Sequence, residues 1–399
     1  MYFTNFEGLS IVESLGVKIV ERKKVLFFIY RLGGGGAART ILNIVNYLDR
    51  NKFEPILVTL NFTYDYEQYV KEDVKFIKLN TKRLRSAIVP LAKLIRKERP
   101  DLLFSTIPNY NTVTILAKIL SFTKTKLIVR EAAFLGGTFK EDIKLKMYGF
   151  LYRFAQRVVA LSYGVKENLV KRYGVDKEKI KVIYNPVDLN NIRRQANEPI
   201  PTQLNNLYDD NEKRVIVSAG RLVKEKDQQT LIKAFAKVQE KIDSTLIILG
   251  EGELENELKQ LAEKLLIEDK VHFVGFQKNP YTFFKHADLF VLTSISEGFG
   301  HVFVEAMATG TPIVSTRCKP GAEEVLENGK YGMIANVGDV ADVAEKILIS
   351  LQMNEEERTS VIQKGFERAE QFDVSTIVNQ YEELFLATIG KGKTRTIEN

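Results

Sequence analysis

The stretch EGFGHVFVEAMATGTPIVST, residues 297–316, places a glycine-flanked turn before a helical pattern and then an apolar run. Gly298 and Gly300 allow the backbone an unusual turn between the apolar run 289–293 and that helix. A second apolar run, 312–316, follows the helix. A buried strand, a turn, a helix and another buried strand form the repeating unit of a parallel sheet that is covered on both faces.

Short apolar runs alternate with amphipathic helical patterns over most of the 399 residues. Two of the helical patterns, 37–48 and 228–239, carry apolar residues three and four positions apart, and a third covers 375–388. The predicted strands are residues 25–30, 55–60, 102–105, 126–129, 157–160, 181–184, 214–219, 245–249, 271–274, 289–293 and 312–316. The pattern predicts an α/β fold of two doubly wound, Rossmann-like domains.

The alternation is interrupted once, between the two predicted domains. Residues 191–212, NIRRQANEPIPTQLNNLYDDNE, lack apolar periodicity and contain Pro199 and Pro201, so we interpret them as a linker. The predicted organisation is an extension of unassigned role (1–23), a first domain (24–190), the linker (191–212), a second domain (213–374), and a C-terminal helix with a tail (375–399). Ligands of open α/β sheets bind outside the carboxyl ends of the strands, so candidate chemistry should follow strands at a cleft between the domains.

Composition excludes several classes of protein. With 45% hydrophobic residues the chain can form globular cores, and its length favours two of them. No apolar stretch approaches the roughly 18 residues that a membrane span needs. The first 23 residues carry three glutamates and no continuous apolar segment, which argues against a secretory signal. A single cysteine, Cys318, excludes an internal disulfide and fits a reducing cytoplasm.

The net charge of +7 is divided unevenly between the two halves. Residues 1–200 have a balance of +16, whereas residues 201–399 have a balance of −9. A basic half suggests an anionic partner such as phospholipid headgroups, a phosphate-linked acceptor or nucleic acid. The alternative is an uneven but solvated surface.

A glycine-rich loop follows the first predicted strand. In RLGGGGAART, residues 31–40, Gly34, Gly35 and Gly36 let the backbone approach a ligand at the positive end of the next helix. The letters also fit a dinucleotide-binding fingerprint loosely, but no acidic residue ends the second strand to hold a ribose. A tight turn without a ligand is the alternative.

Two further loops suit a phosphorylated ligand. In SAGRLVKEKD, residues 218–227, Arg221 and Lys226 can grip a diphosphate, although cations in a loop are often only solvated. In the opening stretch the amides of residues 298–301 would start a helix. They would offer oriented N–H groups to phosphate oxygens. Glu305, one turn into that helix, can accept hydrogen bonds from two ribose hydroxyls, and Glu297 faces the far side of the diphosphate. Two exposed glutamates at a helix start are the alternative.

Several of these motifs together carry a family resemblance. GRLVKEKD (220–227), EGFGHVFVEAMATGTPIVST (297–316) and YNPVD (184–188) resemble the retaining nucleotide-sugar glycosyltransferases of family 4, which have the two-domain GT-B fold. ADLFVLTS (287–294) and the glycine loop are similar to that family as well. The resemblance covers residues 24–388 and is more specific in the second half, because the first half meets varied acceptors in this family.

The resemblance implies a donor site in the second domain and an acceptor site in the first. It also implies that the C-terminal helix (within 375–399) crosses back to the first domain. Glu305 would bind the ribose, Glu297 the transferred sugar, and Arg221 and Lys226 the departing diphosphate, which makes the last three the predicted catalytic residues. The other donor-binding positions that it implies are Gly298, Phe299, Gly300, His301, Gly275, Phe276, Gly34, Gly35 and Gly36.

The implied reaction is the transfer of a sugar from a nucleoside-diphosphate sugar, expected to be a UDP-sugar, with retention of configuration. The expected acceptor is a hydroxyl of a glycan or lipid-linked glycan precursor in bacterial cell-surface polysaccharide biosynthesis. The sequence has no Asp-x-Asp and no Cys/His cluster with ligand spacing, so we predict no metal and no other cofactor. The alternatives are a sugar-nucleotide epimerase of the same fold and a non-catalytic partner subunit of a glycosyltransferase.

One departure from the family concerns the acceptor side. Many relatives carry a histidine after a strand of the first domain, where this chain has Arg130 and Glu131 in REAAFLGG, residues 130–137. We predict Asn109, Arg130 and Glu131 on the acceptor side.

Two basic segments of the first domain suggest a membrane surface. TKRLRSAIVPLAKLIRKERP (81–100) and KLKMYGFLYRFAQR (144–157) mix cations with apolar or aromatic residues, as helices on anionic membranes do. Helices that pack on the sheet with solvated charges are the alternative. We therefore expect a cytoplasmic protein, peripheral on the inner face of the membrane, and no nucleic-acid partner because no recognition module is visible.

Overall fold

The computed structural model describes residues 22–33, 35–208 and 213–390. They form two α/β units, each with a parallel sheet between layers of helices. The strands of the first unit are β1 (Lys23–Phe28), β2 (Phe53–Leu60), β3 (Lys75–Leu79), β4 (Leu102–Thr106), β5 (Lys126–Glu131), β6 (Arg157–Ala160) and β7 (Ile180–Val182). Its helices are α1 (Gly36–Tyr47), α2 (Ile88–Glu98), α3 (Pro108–Ser121), α4 (Phe139–Leu151) and α5 (Tyr163–Asn168).

The second unit repeats the arrangement. Its strands are β8 (Arg214–Ala219), β9 (Ser244–Leu249), β10 (Val271–Phe273), β11 (Leu289–Leu292), β12 (Ser296–Glu297), β13 (Ile313–Thr316), β14 (Lys319–Pro320) and β15 (Met333–Ala335). The remaining helices are α6 (Leu189–Ala196), α7 (Gln228–Gln239), α8 (Glu255–Lys264), α9 (Tyr281–Lys285), α10 (His301–Thr309), α11 (Gly321–Val325), α12 (Val340–Leu351), α13 (Glu355–Glu370) and α14 (Val374–Ile389).

Both large sheets are wound outward from their first strand. The strand order is β3-β2-β1-β4-β5-β6-β7 in the first unit and β10-β9-β8-β11-β13-β15 in the second, and the paired strands run parallel. The order reverses next to β1 and next to β8, and such a switch point opens a crevice at the carboxyl ends of the strands. Two doubly wound α/β units with this topology confirm the predicted fold class.

Two strands of the large sheets were missing from the sequence prediction, and each lies at the edge of its sheet. β3 carries two lysines among its five residues and is only partly buried, and the short β15 also pairs on one side only. The two-residue strands β12 and β14, which pair with each other, were not predicted either. An edge strand lacks the continuous apolar run by which the central strands were recognised.

The segment 191–212, interpreted from sequence as a linker, begins inside a helix. Helix α6 begins at Leu189 and buries Leu189, Ile192 and Ala196, which lie on one helical face. The predicted linker begins at residue 191, so it omits Leu189, the first residue of that apolar face. The helix packs beside α9 and α10, so it belongs with the second unit.

The chain crosses between the units twice at one place. Val187, on the outward crossing, forms a parallel bridge with Asp373 on the return. The Val187 amide donates to the Phe372 carbonyl at 2.9 Å, and the Val374 amide donates to the Val187 carbonyl at 2.8 Å. Two short crossings that are hydrogen-bonded together form a narrow connection about which the units can rotate.

Helix α14 packs on the first unit, where the family resemblance places the C-terminal helix. Its Ile377, Tyr381 and Phe385 pack into the core that contains Phe27 and Phe104. Its Glu382 accepts a hydrogen bond from the Asp49 amide at 2.7 Å. The C-terminal helix therefore fastens the end of the chain to the unit in which the chain began. Across the three described ranges, no helix is long and apolar enough to span a membrane.

Candidate functional site

The glycine turn of the opening stretch lies at the carboxyl end of β11, next to the switch point of the second sheet. Gly300 caps helix α10 with φ +78°, and a Cβ there would come within 2.6 Å of the Phe303 ring. Both the backbone angle and the space therefore require glycine. Gly298 faces the other unit, because a Cβ at Gly298 would lie 3.0 Å from the Ala132 carbonyl oxygen.

Glu297 and Lys226 form an ion pair within the second unit. The Lys226 ammonium donates to Glu297 Oε1, and the Ser294 hydroxyl donates to the same oxygen at 2.9 Å. Both side chains are mostly buried, 20% exposed for Lys226 and 13% for Glu297. Arg221 begins the same loop after β8 and is exposed to solvent. The loop thus places Lys226 beside the glycine turn, where a carboxylate already holds it.

Glu305 is buried on α10 and is paired with a residue of the other unit. Arg39, on α1, donates from Nη1 to Glu305 Oε1. Arg39 Nη2 lies 3.4 Å from the Tyr66 hydroxyl. Glu305 is 3% exposed, whereas the Arg39 side chain is 35% exposed. A buried carboxylate needs a partner, and here the first unit supplies it. A ribose that binds Glu305 must share this carboxylate with Arg39 or replace Arg39.

His301 is the first residue of α10 and also contacts the first unit. Its ring lies 3.1 Å from the position that a Cβ at Gly36 would take, so the glycine loop after β1 needs glycine there for close approach. Asn185 Nδ2 lies 2.9 Å from His301 Nε2. Asn185 Oδ1 accepts hydrogen bonds from Thr40 and Arg130, so its amide nitrogen faces the imidazole.

This arrangement fixes the protonation of the imidazole. Because Nε2 accepts from Asn185, the hydrogen resides on Nδ1, which is buried and has no hydrogen-bond partner among the described residues. Burial, with the nearby charges of Arg39 and Arg130, lowers the pKa of His301 to about 3. His301 is therefore neutral, and its buried Nδ1–H is a donor without a partner among the described residues.

Gly275, Phe276 and Phe299 were predicted to contact the donor. Gly275 has φ +69° after β10, and Phe276 beside it is exposed with its amide 3.4 Å from Glu251 Oε1. The exposed ring of Phe276 is available to stack on a flat group. Phe299 is buried against Tyr184 and Phe372 at the crossing between the units, so only its backbone can meet a ligand.

The glycine loop after β1 is described in part. Gly36 contacts His301 as given above, and Gly35 caps α1 with φ +153°, a position without nearby atoms. Gly34 lies outside the described residues.

Arg130 and Glu131 lie beneath the cleft rather than on its wall. Arg130 is fully buried and donates to Thr106 at 3.0 Å and to Asn185. Glu131 is 1% exposed, and its carboxylate accepts from Tyr152 and Asn111. Burial raises the pKa of Glu131 to about 8 in spite of these hydrogen bonds.

The acceptor-side prediction therefore needs a correction for Arg130 and Glu131. Both end strand β5, where exposure was expected, but residues from α3 and the turn after α4 cover them. They can position other groups, as Arg130 does for Asn185, but an acceptor does not reach them directly in this conformation. Asn109 is exposed at the start of α3 and accepts from the Tyr148 hydroxyl at 2.6 Å, so its acceptor role stays a prediction.

Three residues at the boundary between the units were not singled out from the sequence: Arg39, Asn185 and Glu324. Glu324 accepts from the amides of Tyr163 and Gly164, at 2.8 and 2.6 Å, and from the Tyr184 hydroxyl at 3.2 Å. Asn185 lies within YNPVD, and Arg39 follows the glycine loop, so proximity to a motif was the available signal. Their partners lie in the other half of the chain, so no local pattern of residue spacing predicts these contacts.

Comparisons with known proteins place both halves of the chain among glycosyltransferases. A family model described as "Glycosyl transferases group 1" matches residues 200–368, and one described as "Glycosyltransferase Family 4" matches residues 34–191. Among solved structures, a glycosyltransferase from Rickettsia africae has a TM-score of 0.79 and 19% identity over 94% of this chain and all of that chain. Anabaena HepE in complex with UDP and glucose has a TM-score of 0.75 and 25% identity over 91% of this chain and 99% of that chain.

The similarity to curated proteins extends over nearly the whole chain. The N-acetylgalactosamine-N,N'-diacetylbacillosaminyl-diphospho-undecaprenol 4-alpha-N-acetylgalactosaminyltransferase of Campylobacter jejuni is 30% identical over 369 residues, which cover 88% of this chain and 96% of that protein. The N-acetyl-alpha-D-glucosaminyl L-malate synthase of Bacillus anthracis is 36% identical over 153 residues, 38% of this chain and 40% of that protein. With two parallel α/β units of GT-B type and these matches across both halves, the chain belongs to the group 1 glycosyltransferases of family 4.

Proposed function

We propose that this glycosyltransferase moves a sugar from a UDP-sugar to a hydroxyl of a lipid-linked glycan precursor, with retention of anomeric configuration, in cell-surface polysaccharide biosynthesis. The observation that carries the proposal is the glycine turn between two carboxylates, one paired with Lys226 and the other buried one helical turn away. The name of the Campylobacter relative, which specifies a diphospho-undecaprenol acceptor, supports the lipid-linked acceptor. The UDP complexes of HepE support the base.

The site suits departure of an anionic diphosphate. The donor would lie along the turn, with its ribose at Glu305 and its sugar at Glu297. Negative charge builds on the leaving phosphate oxygen as the glycosidic bond breaks. Arg221, Lys226 and the backbone amides at the start of α10 would stabilise that charge without a metal ion, because they are oriented before the reaction begins.

Retention requires the acceptor to attack from the face that the diphosphate leaves. The acceptor hydroxyl would then lose its proton to the departing phosphate oxygen, and no protein nucleophile is needed. The His301 Nδ1–H would donate to the sugar or to the diphosphate, since it is the unpartnered group at the start of the helix. Closure of the two units would exclude water, which otherwise competes with the acceptor.

The experiment that tests the proposal begins with donor binding. UDP-, GDP- and ADP-sugars are screened for thermal stabilisation, since a ligand that binds the native state raises its stability. The selected donor is then incubated with undecaprenyl-diphosphate-linked glycans, and the anomeric configuration of the product is read by NMR. Inverted product contradicts retention, donor isomerised without an acceptor indicates an epimerase, and activity that a chelator abolishes and manganese restores contradicts the metal-free site.

A lipid-linked acceptor also implies a place of action. We propose that the protein works on the inner face of the cytoplasmic membrane and binds it peripherally. The charge balance of +16 in residues 1–200 supports an anionic surface as the partner of the first unit.

A further inference from the structure

Helix α4 and the turn that follows it present a row of large apolar side chains to solvent. The row, called the α4 stripe below, consists of Phe139, Ile143, Met147, Phe150 and Phe154. Their exposed fractions range from 45% at Phe154 to 82% at Phe139. At about 100° per residue the four positions on the helix lie within an arc of about 80° and form one continuous face, and Phe154 follows in the next turn of the chain. Isolated exposed apolar residues are ordinary, but an aligned row of five marks an interaction surface.

The opposite face of the same helix is fixed to the first unit. Leu145 and Tyr152 are buried, and a Cβ at Gly149 would come within 1.8 Å of the Tyr173 carbonyl oxygen. Thr138 caps the helix in a reciprocal capping box with Glu141. Since the inner face and the start of the helix are both held, the stripe cannot be buried by a small rotation of α4.

Cations flank the stripe on both sides. The exposed cations along it are Lys140, Lys144, Lys146 and Arg153. On a helical projection Lys140 and Lys144 lie on one flank, and Lys146 and Arg153 on the other. The carboxylates of this helix are engaged away from the stripe, Glu141 in the cap and Asp142 with Arg172 at 2.7 Å. An apolar row between two lines of cations complements an anionic bilayer, with the rings among the acyl chains and the cations among the headgroups.

The other basic segment of this unit is constructed differently. In α2, which belongs to the segment 81–100, Leu91 and Ile95 are fully buried, and Ile88 and Leu94 pack partly against the same core. Val89 is the exposed large apolar residue of this helix. Of the two segments predicted from sequence as membrane surfaces, 81–100 therefore packs on the sheet with solvated charges, and 144–157 retains an open apolar face.

We propose that the α4 stripe is the surface by which the protein docks on an anionic lipid bilayer, an inference that rests on the proposed lipid-linked acceptor. A second copy of the chain is a poorer partner for this face. A two-fold contact would bring the same four cations of both copies together. The loop that leads from β5 into α4 reaches the cleft, because a Cβ at Gly298 would lie 3.0 Å from the Ala132 carbonyl oxygen. A bilayer on this face would hold a lipid-linked acceptor near the glycine turn.

The test measures binding of the full-length protein to phosphatidylcholine vesicles with and without phosphatidylglycerol, at low and at high salt. One variant removes the stripe (Phe139→Ser, Met147→Ser, Phe150→Ser), and a second removes the flanking charges (Lys140→Gln, Lys144→Gln, Lys146→Gln). A matched control alters α2 in the same unit (Val89→Ser, Lys93→Gln, Lys97→Gln). UDP binding in solution is measured for every protein, which separates failure of the donor site from failure of the docking surface.

We expect the parent and the α2 control to bind phosphatidylglycerol vesicles, less at high salt, and each α4 variant to bind more than tenfold more weakly with unchanged UDP affinity. The proposal is overturned if the parent stays in solution with anionic vesicles, or if the α2 control loses as much binding as the α4 variants. It is also overturned if the stripe variant converts a dimeric parent to a monomer and leaves vesicle binding unchanged.

Discussion

The two carboxylates of the site are neutralised in different ways. Glu297 pairs with Lys226, and both residues lie in the second unit, Lys226 in the loop after β8 and Glu297 in the short strand β12 after β11. Glu305 pairs with Arg39, which lies in the first unit on the helix after the glycine loop. Both pairs are largely buried on the carboxylate side, 13% exposed at Glu297 and 4% at Glu305. The pair at the sugar end of the proposed site is thus local, and the pair at the nucleoside end bridges the two units.

The two ion pairs therefore respond differently to movement of the units relative to each other. The Lys226–Glu297 pair persists if the units move apart, since both residues move with the second unit. The Arg39–Glu305 pair, the His301–Asn185 contact and the Glu324 contacts all break on opening. The proposed chemistry therefore depends on a site formed within one unit. The contacts at the nucleoside end, in contrast, form only when the two units are closed.

The largest effect should follow from breaking the local pair. Lys226→Met removes the buried cation that would stabilise the leaving diphosphate, and loss of one such group costs about 2.7–4 kcal/mol of transition-state stabilisation. Turnover should fall by about two orders of magnitude or more, measured as kcat with the donor selected in the screen. Lys224→Met, two positions earlier in the same loop and exposed, is the matched control and should keep the parental kcat. Equal turnover in both variants would show that Lys226 does not take part in the reaction.

Breaking the bridging pair should change stability and ligand response rather than chemistry. Arg39→Met leaves Glu305 buried without its charged donor, which should lower the free energy of unfolding of the nucleotide-free protein by about 1.5–3 kcal/mol. Ribose hydroxyls would replace the lost donor, so UDP should raise the melting temperature of Arg39→Met by more than it raises that of the parent. Arg50→Met breaks the Arg50–Asp73 pair at the surface of the first unit and serves as the control. A smaller UDP-induced shift in Arg39→Met than in the parent would instead make Arg39 a nucleotide ligand.

The contact between His301 and the first unit predicts a smaller, pH-dependent effect. The pKa of His301 is about 3 in the folded protein and has its ordinary value of 6.5 when unfolded. The unfolded chain thus gains a proton below pH 6.5 that the folded chain does not bind. The contribution of neutral His301 to the free energy of unfolding is complete above pH 6.5. It is lost as the pH falls toward 3, at up to about 1.4 kcal/mol per pH unit.

The measurement compares His301→Gln with the parent by denaturant unfolding between pH 7 and pH 5. The parent should lose more stability than His301→Gln over this interval, because glutamine does not titrate. Parallel curves for the two proteins would show that the imidazole is protonated in the folded state as readily as in the unfolded one.

The sequence predicted the second unit better than the first because its site residues lie close together along the chain. Arg221 and Lys226 occupy one loop, and Glu297, the glycine turn and Glu305 occupy one strand–turn–helix segment. Strand periodicity and turn chemistry are local, so these positions follow from local rules. The same reasoning placed helix α14, whose apolar stripe is long and uninterrupted.

The residues that join the two units could not be predicted in this way. The partner of Arg39 is 266 positions away, and that of Asn185 is 116 positions away, so each contact depends on how two domains meet. Glu131 was placed on the acceptor side because many relatives carry a histidine after this strand, and Tyr152 and Asn111, which bury it, come from other elements. Burial by tertiary neighbours is not encoded in the spacing of the strand itself.

In the proposed complex Glu305 holds the nucleoside and Glu297 the sugar of a single donor. Calorimetric titration of UDP into Glu305→Gln and Glu297→Gln separates these two roles, since UDP carries the nucleoside without the sugar. A hydrogen bond to a charged group contributes about 1.5–3 kcal/mol, so the Kd of Glu305→Gln should rise about ten- to a hundredfold. The Kd of Glu297→Gln should stay near the parental value while its turnover of the UDP-sugar falls. Parental UDP affinity in Glu305→Gln, or a greater loss of UDP affinity in Glu297→Gln than in Glu305→Gln, would contradict the account.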